Sequence, residues 1–365
     1  MPKIMFHLNC LEQGGAERVV TNLASQFYRD GYEVIIATEW QAKNEFTIEA
    51  GIRRLHVGLS KEDEVKSRIK QNFIRIINLR RAILKEKPDA VIAFARKANY
   101  RALMSSRFTR IPVIISVRTN PVGHYDALSD KVVTALLFPK AAGCVFQTPG
   151  ARDFFSKEIR KKSRVILNPI HEKYIGREIP KVRTKEIVHV GRLVDFKNQA
   201  MLIKGFSTVH KKYPEYTLKL FGGDSHDGTK EILEDIIQRE GLHECVKLSG
   251  ANDNLHNEIE NAAFFAFTSD WEGLPNAVME AMALGLPVIS TDCPCGGPAS
   301  VIKNNENGLL IPIKDQSALE YAMIWMIEHP ELAEKMGSEA RKIGLIANTE
   351  SIYTQWKKYV EEICK

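Results

Sequence analysis

Long apolar runs are what this 365-residue sequence most plainly lacks. No stretch reaches the roughly 18 apolar residues of a spanning helix, so any membrane contact is expected to be peripheral. The opening MPKIMFHLNCLEQGGAER holds only a short apolar run, interrupted by Glu12 and Arg18, and reads as a buried first strand instead of a targeting segment. Cysteine is sparse too: Cys10, Cys144, Cys245, Cys293, Cys295 and Cys364 form no C-x-x-C pair, and no histidine is spaced to complete a zinc site. Reduced cytosolic thiols are therefore the expectation. Cys293 and Cys295 flank Pro294 as a turn after a strand would, with a redox pair as the competing reading. Zinc-finger spacing and basic stretches interleaved with aromatics are also missing, which leaves nucleic acid without a supporting motif.

What is present is the composition of a soluble globular chain, 44% hydrophobic and 26% charged, at a length that suits two domains better than one core. The net charge of +6 conceals an asymmetry: residues 1–180 hold 31 Lys+Arg against 18 Asp+Glu, and the remainder 20 against 27. A basic half beside an acidic one points to different partners, and the basic half suits anionic headgroups or phosphates.

Apolar periodicity predicts strands over Lys3–Leu8, Glu33–Thr38, Arg53–Val57, Ala90–Phe94, Pro112–Val117 and Gly143–Gln147, with helices over Ala16–Arg29, Asp63–Lys85 and Tyr100–Phe108 between them. The pattern lapses over Glu172–Glu186, where charge, Gly176 and Pro180 gather, and this reads as a linker. It resumes with strands Ile187–Val190, Thr217–Phe221, Val246–Leu248, Phe264–Thr268 and Pro287–Ser290. Helices Asn198–Lys212, Thr229–Glu240, Leu255–Asn261 and Asn276–Ala283 alternate with them. Such βαβ alternation predicts an α/β class with two doubly wound, Rossmann-like sheets, whose ligands bind at the carboxyl ends of the strands. The expected domains are 1–175 and 176–350. A last helix, 351–365, either crosses back to the first or packs on its own domain.

The loops after strands are where chemistry is expected. Gly14 and Gly15 in EQGGAER permit close backbone approach of an anion to a helix start, a plain strand-to-helix turn being the alternative. Arg192 and Lys197 in VGRLVDFKN neutralise a diphosphate in the functional reading, and are solvated charges in the other. FGGDS, with Gly222, and LSGAND, with Gly250, are small-residue loops able to approach a base or sugar, although ordinary turns use the same residues. In SDWEGLPNAVMEAMALGLPVIS, Asn276 is the expected N-cap and Gly285 the residue closing the helix. Glu272 precedes that helix and Glu280 lies within an otherwise apolar stretch, so the two carboxylates are placed to hold separate parts of one long ligand.

Together GGAER, ILNPI, GRLVDFKN and above all SDWEGLPNAVMEAMALGLPVISTDCPCGGPASVI, followed by NGLLIP, resemble the retaining glycosyltransferases of family four (group 1), with the two-domain GT-B fold. The resemblance implies an acceptor-binding first domain and a nucleotide-sugar-binding second domain around a central cleft. It places Arg192 and Lys197 on the donor diphosphate, Glu280 on ribose hydroxyls, Glu272 on donor-sugar hydroxyls, and Asn276, Gly14, Gly15, Gly222 and Gly250 along the donor. Gly296 and Gly297 are lesser candidates there. Arg118 stands where many members have a histidine, which makes it a substrate contact in the catalytic set with Arg192, Lys197 and Glu272; Asn120 and His124 are lesser candidates. Ser300 stands where a glutamate is frequent. No D-x-D signature occurs, and neither metal nor cofactor is expected, the nucleotide sugar being a co-substrate. The motif set is similar to that of enzymes extending lipid-linked glycans or surface polysaccharides with UDP-hexoses or UDP-N-acetylhexosamines.

A polyprenyl-diphosphate-linked glycan is thus the expected acceptor. The segment Lys66–Lys87 mixes Lys and Arg with Ile, Phe and Leu at helical spacing; it suits an anionic bilayer, or equally a crossover helix with its apolar face on the sheet. The implied place of action is the cytoplasm, at the inner face of the cell membrane. Competing functions are a nucleotide-sugar epimerase of similar fold, which would convert donor without acceptor, and an inactive sugar-nucleotide- or lipid-binding scaffold.

Overall fold

Of the seven strands of the first sheet, all but the two edge strands, RRLH and SRV, carry almost uninterrupted apolar runs, as strands covered by helices on both faces must. The seven are β1 (Lys3–Leu8), β2 (Glu33–Thr38), β3 (Arg53–His56), β4 (Ala90–Phe94), β5 (Val113–Val117), β6 (Gly143–Phe146) and β7 (Ser163–Val165). All pair in parallel in the order β3-β2-β1-β4-β5-β6-β7. Ile4 lies opposite both Val34 and Ala90, so the order reverses between β1 and β4. The computed structural model describes residues 1–12 and 14–365; Gln13, within EQGGAER, lies outside the described residues.

The chain divides into two compact units, Met1–Asn168 with Glu350–Lys365, and Pro169–Thr349. The last helix, Thr349–Cys364, buries Ile352, Tyr353, Trp356, Tyr359 and Val360, a spacing that keeps one helical face apolar. In the first unit's core Trp356 stacks on Phe94, with centroids 5.6 Å apart, and Tyr353 meets Phe27 edge-on at 5.0 Å. Lys357 adds an ion pair to Asp30 at 2.7 Å.

The second unit's sheet comprises β8 (Glu186–Val190), β9 (Thr217–Phe221), β10 (Val246–Gly250), β11 (Phe264–Phe267), β12 (Val288–Thr291) and β13 (Leu309–Ile311). Its order is β10-β9-β8-β11-β12-β13, again all parallel. The reversal falls between β8 and β11. Each unit is therefore the doubly wound sheet expected, with its ligand crevice predicted at the switch point. No helix among the described residues is long and apolar enough to cross a membrane.

Several local expectations are corrected. The helix expected over Asp63–Lys85 is two, Lys61–Glu64 and Arg68–Glu86: Ser60 and Asp63 form a capping box that starts the first, and extended Ser67 interrupts the run. The helix expected over Tyr100–Phe108 spans Arg96–Ser105, because Ala95 at φ +75° turns the chain into it and Phe108 at φ +64° lies past its end. Within Glu172–Glu186, read as a linker, two arginines are tied to the second unit. Arg177 bonds Glu260 at 2.7 Å, and Arg183 grips Glu334 at 2.6 Å and the Gly285 carbonyl at 2.8 Å. That segment belongs to the second unit.

Each first-laid strand carries one buried histidine. His7 donates from Nδ1 to the Ala37 carbonyl at 3.0 Å, and His189 to that of Ala266 at 2.9 Å. Burial lowers both to about 4. They stay neutral in the fold while the unfolded chain takes up protons, so their contribution is complete above pH 6.5 and is lost as pH falls toward 4. Urea unfolding at pH 4.5 should show about 2–3 kcal/mol less stability per histidine than at pH 7. His189→Phe should remove its share of that slope; an unchanged slope would refute the assignment.

Candidate functional site

Three loops of the second unit are clipped side by side at the carboxyl ends of β8, β9 and β10. Gly191 N–H donates to the Phe221 carbonyl at 2.9 Å, Leu193 N–H to Gly223 at 3.0 Å, and Gly222 N–H to Gly250 at 2.8 Å. A Cβ on Gly222 would sit 1.9 Å from the Gly191 oxygen, so glycine there is required by loop-on-loop contact. Gly250, at φ +70°, turns the strand end that supplies the last acceptor. These two glycines shape the loop that carries Arg192.

The loop then makes one turn, Asp195–Lys197, and Asn198 caps the helix Gln199–Lys212 by accepting from Met201 N–H at 3.3 Å. The same side chain donates to Asp270 at 3.0 Å. Asp270 N–H in turn donates to the Phe196 carbonyl at 2.8 Å, and the Thr268 hydroxyl bonds the Lys197 and Asn198 carbonyls at 3.1 Å. This lattice ties the loop after β8 to the loop after β11 across the switch point. Its product is a direct ion pair: the Lys197 ammonium donates to the Glu272 carboxylate. The ammonium rests 4.8 Å from the Phe267 ring centroid, and Ser269 donates to the same carboxylate oxygen at 3.3 Å. Both charged side chains are mostly buried, at 14% and 16% exposure. Arg192, five positions before Lys197 on the same loop, is exposed, and its side chain makes no hydrogen bond or ion pair among the described residues.

Glu272 is followed by the Gly273–Pro275 turn and the helix Asn276–Ala283. Asn276 is the first helical residue, not the cap. Pro275, extended at ψ 110°, holds the cap position, and no side chain caps there. Gly285 does close the helix: at φ +78° it donates to Met282 at 2.9 Å while Leu286 donates to Ala281 at 3.1 Å, the paired bonds of a Schellman ending. Glu280 is buried within that helix. Gly297 lies against the turn so closely that a Cβ would fall 1.7 Å from the Gly273 oxygen, and Gly296 turns at φ +64°. Ser300 donates its hydroxyl to the Gly297 carbonyl at 2.6 Å. Cys293 is buried there, its thiol pushed up to about 12 by burial and then by the nearby Glu272; it is a protonated wall residue beside a turn at Cys295, φ +75°.

In the first unit, Gly14 is the extended residue before the helix Gly15–Arg29, and a Cβ on it would meet the Glu17 carboxylate at 2.4 Å. Arg118 follows β5, its Nη1 donating to Asn168 Oδ1 at 2.8 Å, and Gln147 Nε2 donates to the same oxygen at 2.8 Å. Asn120 is buried and shapes its own turn, accepting from Val122 N–H at 3.1 Å. The His124 carbonyl holds Arg96 at 2.5 Å, and burial, with Arg96 nearby, lowers the imidazole.

Sequence reasoning did not single out Phe196 and Trp271, which stack with centroids 4.0 Å apart. The signal was their position beside Lys197 and Glu272. It also passed over Asn168, which lies inside ILNPI.

The sequence pattern described as "Glycosyl transferases group 1" matches residues 172–343, and that of "Glycosyltransferase Family 4" matches residues 13–174. A Campylobacter jejuni relative is described as a GalNAc-alpha-(1->4)-GalNAc-alpha-(1->3)-diNAcBac-PP-undecaprenol alpha-1,4-N-acetyl-D-galactosaminyltransferase. It is 24% identical over 100% of this chain and 99% of its own. Among solved structures, sucrose-phosphate synthase from Thermosynechococcus elongatus superposes with a TM-score of 0.84 at 17% identity, covering 100% and 99% of the two chains. The Anabaena protein HepE in complex with UDP superposes with a TM-score of 0.82 at 18% identity, covering 99% and 100%. Sheet order, switch-point loops and these matches agree: the chain has the GT-B fold and belongs to glycosyltransferase family 4.

Proposed function

We propose that this glycosyltransferase moves a hexose or N-acetylhexosamine from its UDP conjugate, with retention of configuration, to a glycan acceptor linked through a diphosphate to a polyprenyl carrier. The observation that carries the donor half of this reading is the Lys197–Glu272 ion pair beside exposed Arg192 at the second unit's switch point. Before donor binds, the pair is self-neutralising. A diphosphate arriving between Arg192 and Lys197 replaces the carboxylate as partner of the ammonium, and Glu272 is released to accept hydrogen bonds from sugar hydroxyls. Glu280 takes the ribose, and the Gly14–Gly15 loop serves the phosphate and acceptor side.

In the transfer the bond from the anomeric carbon to the leaving phosphate oxygen breaks and the bond from the acceptor oxygen forms on the same face. The acceptor proton passes to the departing phosphate oxygen. Arg192 and Lys197 stabilise the charge that develops there. The names of the Campylobacter relative and of the UDP complex support the acceptor and donor classes. The test is incubation with UDP-sugars and a diphosphate-linked acceptor, with the new anomeric centre read by NMR and a chelator control for metal independence. An inverted product, or turnover of donor to an epimer without acceptor, would overturn it.

We place the reaction at the inner face of the cell membrane. The helix Arg68–Glu86 leaves Ile69 and Phe73 exposed, at 84% and 63%, beside exposed Arg68 and Lys70. Leu128, Val132 and Leu136 are exposed on successive turns of the helix Leu128–Leu137. Flotation with liposomes should rise with anionic lipid, and Phe73→Ser should weaken it about tenfold. Binding indifferent to anionic lipid would count against membrane docking.

A further inference from the structure

Arg118 is a half-buried cation whose inward donors meet no anion among the described residues. Its Nη1 is spent on the neutral Asn168 amide at 2.8 Å, while buried Nε and Nη2 have no hydrogen-bond partner among the described residues. These two donors form the side-on edge of the guanidinium, the parallel fork that carboxylates and phosphates take bidentately. The guanidinium carbon lies over two stacked aromatic rings, Phe94 at 4.9 Å and Trp356 at 5.5 Å. Such contacts offset only part of what enclosing a charge costs. Burial accordingly lowers Arg118 to about 9, with no carboxylate opposing the shift. The indole Nε1 of Trp356 is a further buried donor with no partner among the described residues. The end of β5 thus holds three buried donors with no acceptor among the described residues.

We propose that Arg118 is the receptor for an oxyanion, a phosphate or carboxylate carried by the acceptor, which takes Nε and Nη2 together while Asn168 holds the third nitrogen in place. Assignment to the acceptor rests on the transferase reading above, in which the donor diphosphate has its own cations, Arg192 and Lys197. The anion site itself does not depend on that reading.

The test uses the full chain. Sodium phosphate and sodium acetate are titrated separately at constant ionic strength, following the thermal midpoint. Wild type and Lys197→Ala should both show a saturable rise with phosphate; adding Arg118→Gln to Lys197→Ala should remove it. Asn168→Asp, which supplies a carboxylate where Nη1 now meets an amide, should weaken phosphate binding at least tenfold, and it decides the matter if Arg118→Gln does not fold. No rise in wild type, or equal rises in wild type and in the folded variants, overturns the site. A rise with acetate alone assigns a carboxylate in place of a phosphate.

The acceptor arm compares sugar transfer to one glycan with and without its diphosphate. Arg118→Gln should cut the preference for the charged acceptor at least tenfold and leave the donor KM unchanged. A raised donor KM with an intact acceptor preference would assign the anion to the donor and overturn the acceptor claim. If wild type transfers sugar yet shows no anion response, the receptor fails and the transferase reading stands.

Discussion

A loss of roughly 10²–10³ in kcat, with the fold intact, is the expected result of Lys197→Ala. The ammonium is the most constrained cation of the second unit's crevice. Phe267 supports it at 4.8 Å, Glu272 holds its charge, and the Thr268 hydroxyl fixes its backbone carbonyl at 3.1 Å. Removing it takes away a preorganised positive charge and also leaves the Glu272 carboxylate mostly buried and unneutralised, where it repels an incoming diphosphate. Lys197→Arg keeps the charge but offers a wider planar fork, and should recover only part of the rate. Glu272→Gln should separate the two effects, with UDP still bound but sugar transfer slowed, because the amide keeps the shape and loses the strong acceptor. Initial rates with circular dichroism check all three, and wild-type turnover in Lys197→Ala would remove the site from this loop.

The second large effect is on stability. Trp356→Ala should cost the first unit about 3–5 kcal/mol, the range for deleting a large aromatic from a core. Trp356 is fully buried, stacks on Phe94 at the end of β4, and backs the Arg118 guanidinium at 5.5 Å. A cavity there removes the floor under Arg118 as well as apolar area. Trp356→Phe keeps most of the surface and should cost far less. Urea titration resolves the two, and a loss below about 1 kcal/mol in Trp356→Ala would mean that the helix Thr349–Cys364 is dispensable to the core.

The doubly wound class was legible because strands such as Ala90–Phe94 and Phe264–Phe267 are apolar from end to end. That pattern marks burial on both faces. The three-residue strands β7 and β13 were not, since three residues show no period. Local chain geometry decided other misses: the Ser60–Asp63 box starts a one-turn helix, and extended Ser67 separates it from the long helix that hydrophobic spacing reads as continuous with it. At the site, motif residues fell on the loops where the sheet order reverses, but their mutual pairing was invisible. Lys197 and Glu272 are 75 positions apart, and only the hydrogen bonds among Asn198, Thr268 and Asp270 bring them together. Gly222 was read as a ligand-facing or ordinary turn residue and Gly297 as a lesser donor candidate. In the structure each is needed because another backbone passes within a Cβ radius. Arg118 was read against a histidine-bearing pattern, and sequence alone had no means of showing that its fork is buried without a partner among the described residues.

The first unit is discontinuous along the chain: its sheet ends by Asn168, and its last core helix arrives only after the intervening Pro169–Thr349. On the ribosome, at about 5–20 residues per second, the groove that Trp356 will fill stays open for on the order of 10–40 s after the sheet has been made. During that interval the exposed face beside Phe27 and Phe94 is open to aggregation or to a chaperone. A fragment ending at Asn168 is therefore a core with its plug missing, and supplying the segment 349–365 as a separate peptide is the way to complete it.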